Sequence, residues 1–131
     1  MSSGVETVRR FYHALRSGNV QGVVAVLDEK IEWREAEYFP YYSGTWHGPQ
    51  AVVENLLVPI SRDWDGFQAT PVEFIEQGER VISLGTYSGT CRKTGRRLSV
   101  AFAHAWTVRG GKLASFDMFT DTAKVLEALK P

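Results

Sequence analysis

Residues 98–121 read LSVAFAHAWTVRGGKLASFDMFTD, two long strands joined by a tight turn. At that turn, Arg109-Gly110-Gly111-Lys112, the paired glycines supply the positive φ angles that a two-residue hairpin needs. On the first strand Leu98, Val100, Phe102, His104, Trp106 and Val108 alternate with Ser99, Ala101, Ala103, Ala105 and Thr107, so one face is large and the other small. On the second, Leu113, Ser115, Asp117 and Phe119 share one face, and Ala114, Phe116 and Met118 the other. An ionisable group on an apolar face is costly unless it is paired or wet. His104 and Asp117, set among aromatic residues on neighbouring strands, therefore point to a polar spot at the bottom of a concave, mainly apolar pocket.

Upstream of this hairpin the period of two continues. Phe67 to Glu76 and Arg80 to Thr90 read as two further strands, linked by Gln77-Gly78-Glu79 and followed by the turn Lys93-Thr94-Gly95. Connections this short make neighbours antiparallel. Before them the period is helical. Ser3 and Glu6 form a capping box ahead of Val5, Val8, Phe11, Tyr12 and Leu15, and Gly18 stops that helix. Asn19 caps a shorter helix through Val20, Val23, Val24 and Leu27, after which Asp28-Glu29-Lys30 is expected to turn the chain. Ile31-Glu32-Trp33 alternates as a short strand. The aromatic stretch from Glu35 to His47, with Tyr38, Phe39, Tyr41, Tyr42 and Trp46 broken by Pro40 and Gly44, reads as a loop or lid over apolar surface. Pro49 opens a third helix carrying Val52, Val53, Leu56, Leu57 and Ile60, which Pro59 is expected to bend or end. Asp121 caps a last helix with Val125, Leu126 and Leu129.

Helices first and a meander of strands afterwards is the α+β pattern, with helices on one face of a curved antiparallel sheet. The 131 residues, 44% hydrophobic, suit one domain spanning residues 1–131. Fifteen basic residues balance fifteen acidic ones, with a pI near 6.8, so nothing calls for nucleic acid as a partner. The single Cys91 cannot form an internal disulfide, and no His/Cys cluster has metal-ligand spacing. The opening MSSGVETVRRFYHAL lacks an apolar leader segment, and no apolar run reaches membrane-spanning length. The expectation is a cytoplasmic protein with no metal and no cofactor.

The chain resembles the SnoaL-like branch of the ketosteroid-isomerase and nuclear-transport-factor-2-like superfamily. The residues that carry the likeness are VRRFYHALRSGNVQGVVAVLDEKIEW at the start, TWHGPQAVVENL, LGTYSGT, and AHAWTVRGGKLASFDMFTDT at the end. The resemblance implies a cone-shaped fold, a curved sheet wrapped on N-terminal helices around an internal pocket, and a homodimer covering the outer sheet face. It also implies chemistry of several kinds. The isomerase pattern would place its oxyanion-donating tyrosine at Phe11, its base at Trp33 and its second oxyanion donor at His104, and this sequence departs from it at all three. A limonene-epoxide-hydrolase pattern needs two carboxylates bridged by an arginine, and no arginine lies near His104 on its strand. The polyketide-cyclase pattern, a His on the penultimate strand and an acid/base Asp on the last, fits His104 and Asp117 to within one residue at the hairpin.

That likeness implies a cofactor-independent isomerase or cyclase, with Asp117 as general acid/base and His104 orienting a small apolar or polycyclic carbonyl compound. Tyr12, Trp33, Tyr38, Trp46, Trp106 and Phe119 would shape the cavity. The alternative is a binding module of the same fold without turnover. Each residue also has a plainer reading: Asp117 satisfied by a neighbouring strand, His104 bonded in the core to Asp117 or a tyrosine, and the tryptophans as core packing.

Overall fold

The computed structural model describes residues 3–131; Met1 and Ser2, which begin the stretch read above as lacking a leader, lie outside the described residues. Helix α1 (Gly4–Arg16) starts where Ser3 Oγ accepts the Glu6 N–H at 3.2 Å, and it buries Val8, Phe11 and Tyr12. Gly18, at φ 67°, takes the chain out of it. Helix α2 (Val20–Val26) is capped by Asn19, whose side chain accepts from the Gly22 N–H at 2.9 Å.

Strand β1 (Leu27–Arg34) follows at once. Asp28, Glu29 and Lys30 lie within it instead of forming the expected turn, because the strand slips register between Leu27 and Glu32. The slip lets the charged residues face outward while Ile31 and Trp33 stay buried. The aromatic stretch is a loop only as far as Gly44. Its end forms β2 (Thr45–His47), antiparallel to β1 with Trp46 opposite Trp33.

Pro49 does occupy the first turn of α3 (Pro49–Val52), but Pro59 does not end the helical run. A π-helical turn (Val53–Leu57) leads straight into α4 (Val58–Asp63). A wider turn just before a proline relieves the clash of its ring with the carbonyl four residues back.

The four long strands are β3 (Trp64–Gln77), β4 (Arg80–Cys91), β5 (Arg97–Arg109) and β6 (Lys112–Thr120), and α5 (Thr122–Leu129) closes the chain with Asp121 as its cap. They form an antiparallel meander in a six-stranded curved, unclosed sheet of order β2-β1-β6-β5-β4-β3. β1 joins β6 in parallel, a pairing between distant segments that local alternation does not encode. Gly110 and Gly111 have φ of 55° and 74°, the two positive values a tight hairpin requires.

The core lies between the concave face and α1. Trp33, Trp64, Trp106 and Phe116 are each no more than 2% exposed, and Trp33 stacks on Phe116 with ring centroids 3.7 Å apart. Burying each such side chain contributes about 3 kcal/mol. Among the described residues no helix is long and apolar enough to cross a membrane.

Candidate functional site

One residue decides which side chains meet on the concave face. Between β5 and β6 the register places Thr107 opposite Ser115 but Val108 opposite Leu113, so Ala114 is an extra residue on β6. Beyond this bulge Phe116 lies opposite Trp106 and Met118 opposite His104, and all four are buried. Asp117 and Phe119, opposite Ala105 and Ala103, belong to the convex face. The expectation that His104 and Asp117 share a pocket therefore fails by parity: adjacent strand positions point to opposite faces.

On the convex side Asp117 is already paired. Its carboxylate accepts from Arg34 Nε at 2.6 Å and from Arg34 Nη2 at 3.4 Å, across the parallel β1–β6 pairing. Phe119 is 59% exposed, and Tyr38, at φ 70° on the loop, is 77% exposed. Neither faces the cavity. Trp46 packs on the core from the edge strand β2, and Trp106 is wholly buried behind the cavity wall. Of the expected lining residues, the structure brings Trp33 and His104 to the cavity and sets Tyr12 directly behind His104.

The cavity, about 480 Å³, is enclosed by the concave sheet face and the helical segments. Phe11, Trp33, Phe39, Leu56, Trp64, Phe67 and Phe116 give it an apolar wall, and Tyr87, His104 and Glu35 are its buried polar groups. Arg16, Asn19 and Arg92, all exposed, frame the mouth. Such a volume suits a ligand of drug-like size.

Glu35, just beyond β1, is 7% exposed. Its Oε1 accepts from Trp33 Nε1 at 3.0 Å, while Oε2 is buried with no partner among the described residues. Burial pushes its carboxyl up from 4.5 to about 7, opposed only by the Trp33 hydrogen bond. It is thus divided between acid and carboxylate near neutral pH. Sequence alternation carried the signal: Ile31, Trp33 and Glu35 are spaced by two, so an ionisable group continues the buried face of β1.

His104 is held on both ring nitrogens, by Tyr12 Oη at Nδ1 and by Tyr87 Oη at Nε2, each at 2.5 Å. Tyr12 Oη also meets Ser83 Oγ at 2.5 Å, and Trp106 Nε1 donates to Ser83 Oγ at 2.9 Å. Burial holds the imidazole well below 6.5, so it is neutral, and holds both tyrosines above their ordinary 10, so they keep their protons. Ser83 and Tyr87 carry no local sequence signal of this role, which depends on the β4–β5 register that sets Ser83 opposite His104. Among the described residues no cluster of three or more His, Cys, Asp or Glu side chains could hold a metal ion.

A family model described as "SnoaL-like domain" matches residues 8–116. No curated protein matches the chain. Among solved structures, an NTF2-like protein from Burkholderia thailandensis is 33% identical, with each chain wholly covered and a TM-score of 0.94. TerC, co-crystallised with polyporic acid, is 28% identical over 99% of this chain and 100% of its own, with a TM-score of 0.89. A Catenulispora acidiphila protein of ketosteroid-isomerase-like fold, in complex with trimethylamine, is 15% identical over 94% and 91% of the chains at a TM-score of 0.82, a likeness of fold alone.

Proposed function

Because this chain belongs to the SnoaL-like domain family, we propose that its cavity takes a small, largely apolar carbonyl compound and that Glu35 moves a proton on the carbon beside the carbonyl. The observation that carries this reading is the free Glu35 Oε2, buried at the cavity wall on a carboxyl poised at about 7. As a carboxylate, Glu35 takes a proton from the activated carbon; as the resulting acid, it returns that proton to another carbon or to oxygen. An isomerisation or an aldol-type cyclisation fits this sequence, and neither needs a cofactor.

Asp117, tied to Arg34 on the convex face, is a structural ion pair in this account. Trp33 holds the Glu35 carboxyl through one oxygen and leaves the other for the ligand. Arg16 and Arg92 at the mouth favour a ligand with a negatively charged end. Polyporic acid in the crystals of TerC supports an organic acid as a first compound to try. Small residues at Ala101 and Ala103, beside exposed Phe119, support pairing of two copies across the convex face.

The Trp33 Nε1–H resonance reports the site directly, because that proton is donated to Glu35. Titrating polyporic acid and a set of aryl ketones should displace this resonance, with an affinity that changes as pH crosses about 7. A Trp33 indole signal that no compound displaces would reject the reading.

A further inference from the structure

The hydrogen bonds around His104 have two self-consistent directions; each leaves one hydroxyl proton without an acceptor among the described residues, and the place of that proton separates them. The imidazole is neutral, so one ring nitrogen carries a proton and the other accepts. If Nδ1 carried it, Tyr12 would accept from His104 and donate to Ser83 Oγ, which already accepts from Trp106 Nε1. The Ser83 hydroxyl proton would then have no acceptor among the described residues, at a side chain with no solvent exposure. Leaving a buried donor unpaired is costly. If Nε2 carries the proton, Trp106 donates to Ser83, Ser83 to Tyr12, Tyr12 to Nδ1 and Nε2 to Tyr87 Oη, and the one hydroxyl proton left over is that of Tyr87, at the cavity, where a ligand or water can accept it.

From this we infer that Trp106, Ser83, Tyr12 and His104 form a one-way hydrogen-bond chain that leaves the Tyr87 hydroxyl proton free at the cavity, making Tyr87 the residue that recognises an oxygen acceptor on the ligand. Tyr87 is the far end of the chain and lines the cavity, whereas Tyr12, Ser83 and Trp106 do not. The other buried group left with unused bonding capacity there is Glu35 Oε2. A ligand that offers a carbonyl oxygen to Tyr87 and the neighbouring carbon to Glu35 satisfies both. This deepens the function proposed above and rests on the cavity being a ligand site. Trp106, Ser83, Tyr12 and His104 are positioning residues: they fix the direction in which Tyr87 donates.

The chain direction can be tested without a ligand. Long-range proton–nitrogen NMR on the full protein labelled with ¹⁵N-histidine, with His104 assigned by its loss in His104→Gln, should show the Nε2–H tautomer. The Nδ1–H tautomer would overturn the inference. The ligand side uses a matched pair, acetylnaphthalene and ethylnaphthalene. Wild type should bind the ketone about tenfold more tightly than the hydrocarbon, the worth of one hydrogen bond. Tyr87→Phe should erase that preference, while Asp117→Asn, on the far face of the sheet, keeps it. A preference that survives in Tyr87→Phe would contradict the assignment. Failure of both compounds to bind would count against the proposed ligand class, and the tautomer would still decide the direction of the chain.

Discussion

Replacing Glu35 with glutamine should make the protein more stable at alkaline pH and leave it unchanged in acid. Burial raises the folded-state carboxyl from 4.5 to about 7, so the folded protein holds a proton that the unfolded chain releases across that window. The stability linked to that proton is present in full below about pH 4.5, declines as pH rises, and is gone above about pH 7. At about 1.4 kcal/mol per pH unit, the loss amounts to about 3 kcal/mol. Glutamine keeps the shape of the neutral acid and has no charge to bury. The stability difference between Glu35→Gln and wild type should therefore grow from near zero at about pH 4 to about 3 kcal/mol at about pH 8, or about 10 °C in Tm. His104 acts with the opposite sign: burial lowers it, so its contribution is present above 6.5 and is lost as pH falls. Because both proteins contain His104, the difference curve removes it. Urea unfolding across a pH series measures that curve. Parallel wild-type and variant curves from about pH 4 to about pH 8 would refute the argument that a buried, half-paired carboxyl sits in the cavity.

Three further outcomes follow from the same geometry. Asp117→Asn should leave ligand binding unchanged and lower stability by no more than about 1 kcal/mol in urea unfolding, because the Arg34 pair it weakens is partly exposed on the far face. Gly85→Ala should cost at least about 2 kcal/mol, since its Cβ would stand 2.2 Å from the Thr70 carbonyl oxygen and 2.6 Å from Phe102 Cζ; a lower urea midpoint with an unchanged slope checks this. Phe119→Glu should shift the sedimentation coefficient from dimer to monomer without altering the cavity, as that ring is exposed on the face proposed to pair.

The elements of this fold were legible because each carries its own local pattern. Alternation on Leu98 to Val108, the two glycines of the hairpin, and the caps at Ser3, Asn19 and Asp121 all correspond to what the structure shows. The site was legible only in part, because it depends on relations between elements. The two faces of the last strand were divided correctly from Ser115 onward, yet the extra residue at Ala114 decides which of them meets His104, and an alanine gives no sign that it is a bulge. The parallel β1–β6 pairing brings Arg34 to Asp117, a contact between residues far apart in sequence. Glu35 carried a signal of its own, two residues beyond Trp33, but the aromatic density of the segment it opens drew it into the loop. His104 bonded in the core to Asp117 or to a tyrosine was one of the plainer readings open from sequence; the structure bonds it to two tyrosines and not to Asp117.

Deuterium incorporation at the carbon beside the carbonyl of acetylnaphthalene, followed by proton NMR in D₂O, tests most directly whether Glu35 moves a proton on a bound carbonyl compound. The account predicts exchange faster than buffer alone, rising as pH passes about 7 and Glu35 becomes a carboxylate, abolished in Glu35→Gln and intact in Asp117→Asn. Exchange no faster than buffer, or exchange lost in Asp117→Asn and retained in Glu35→Gln, would contradict it.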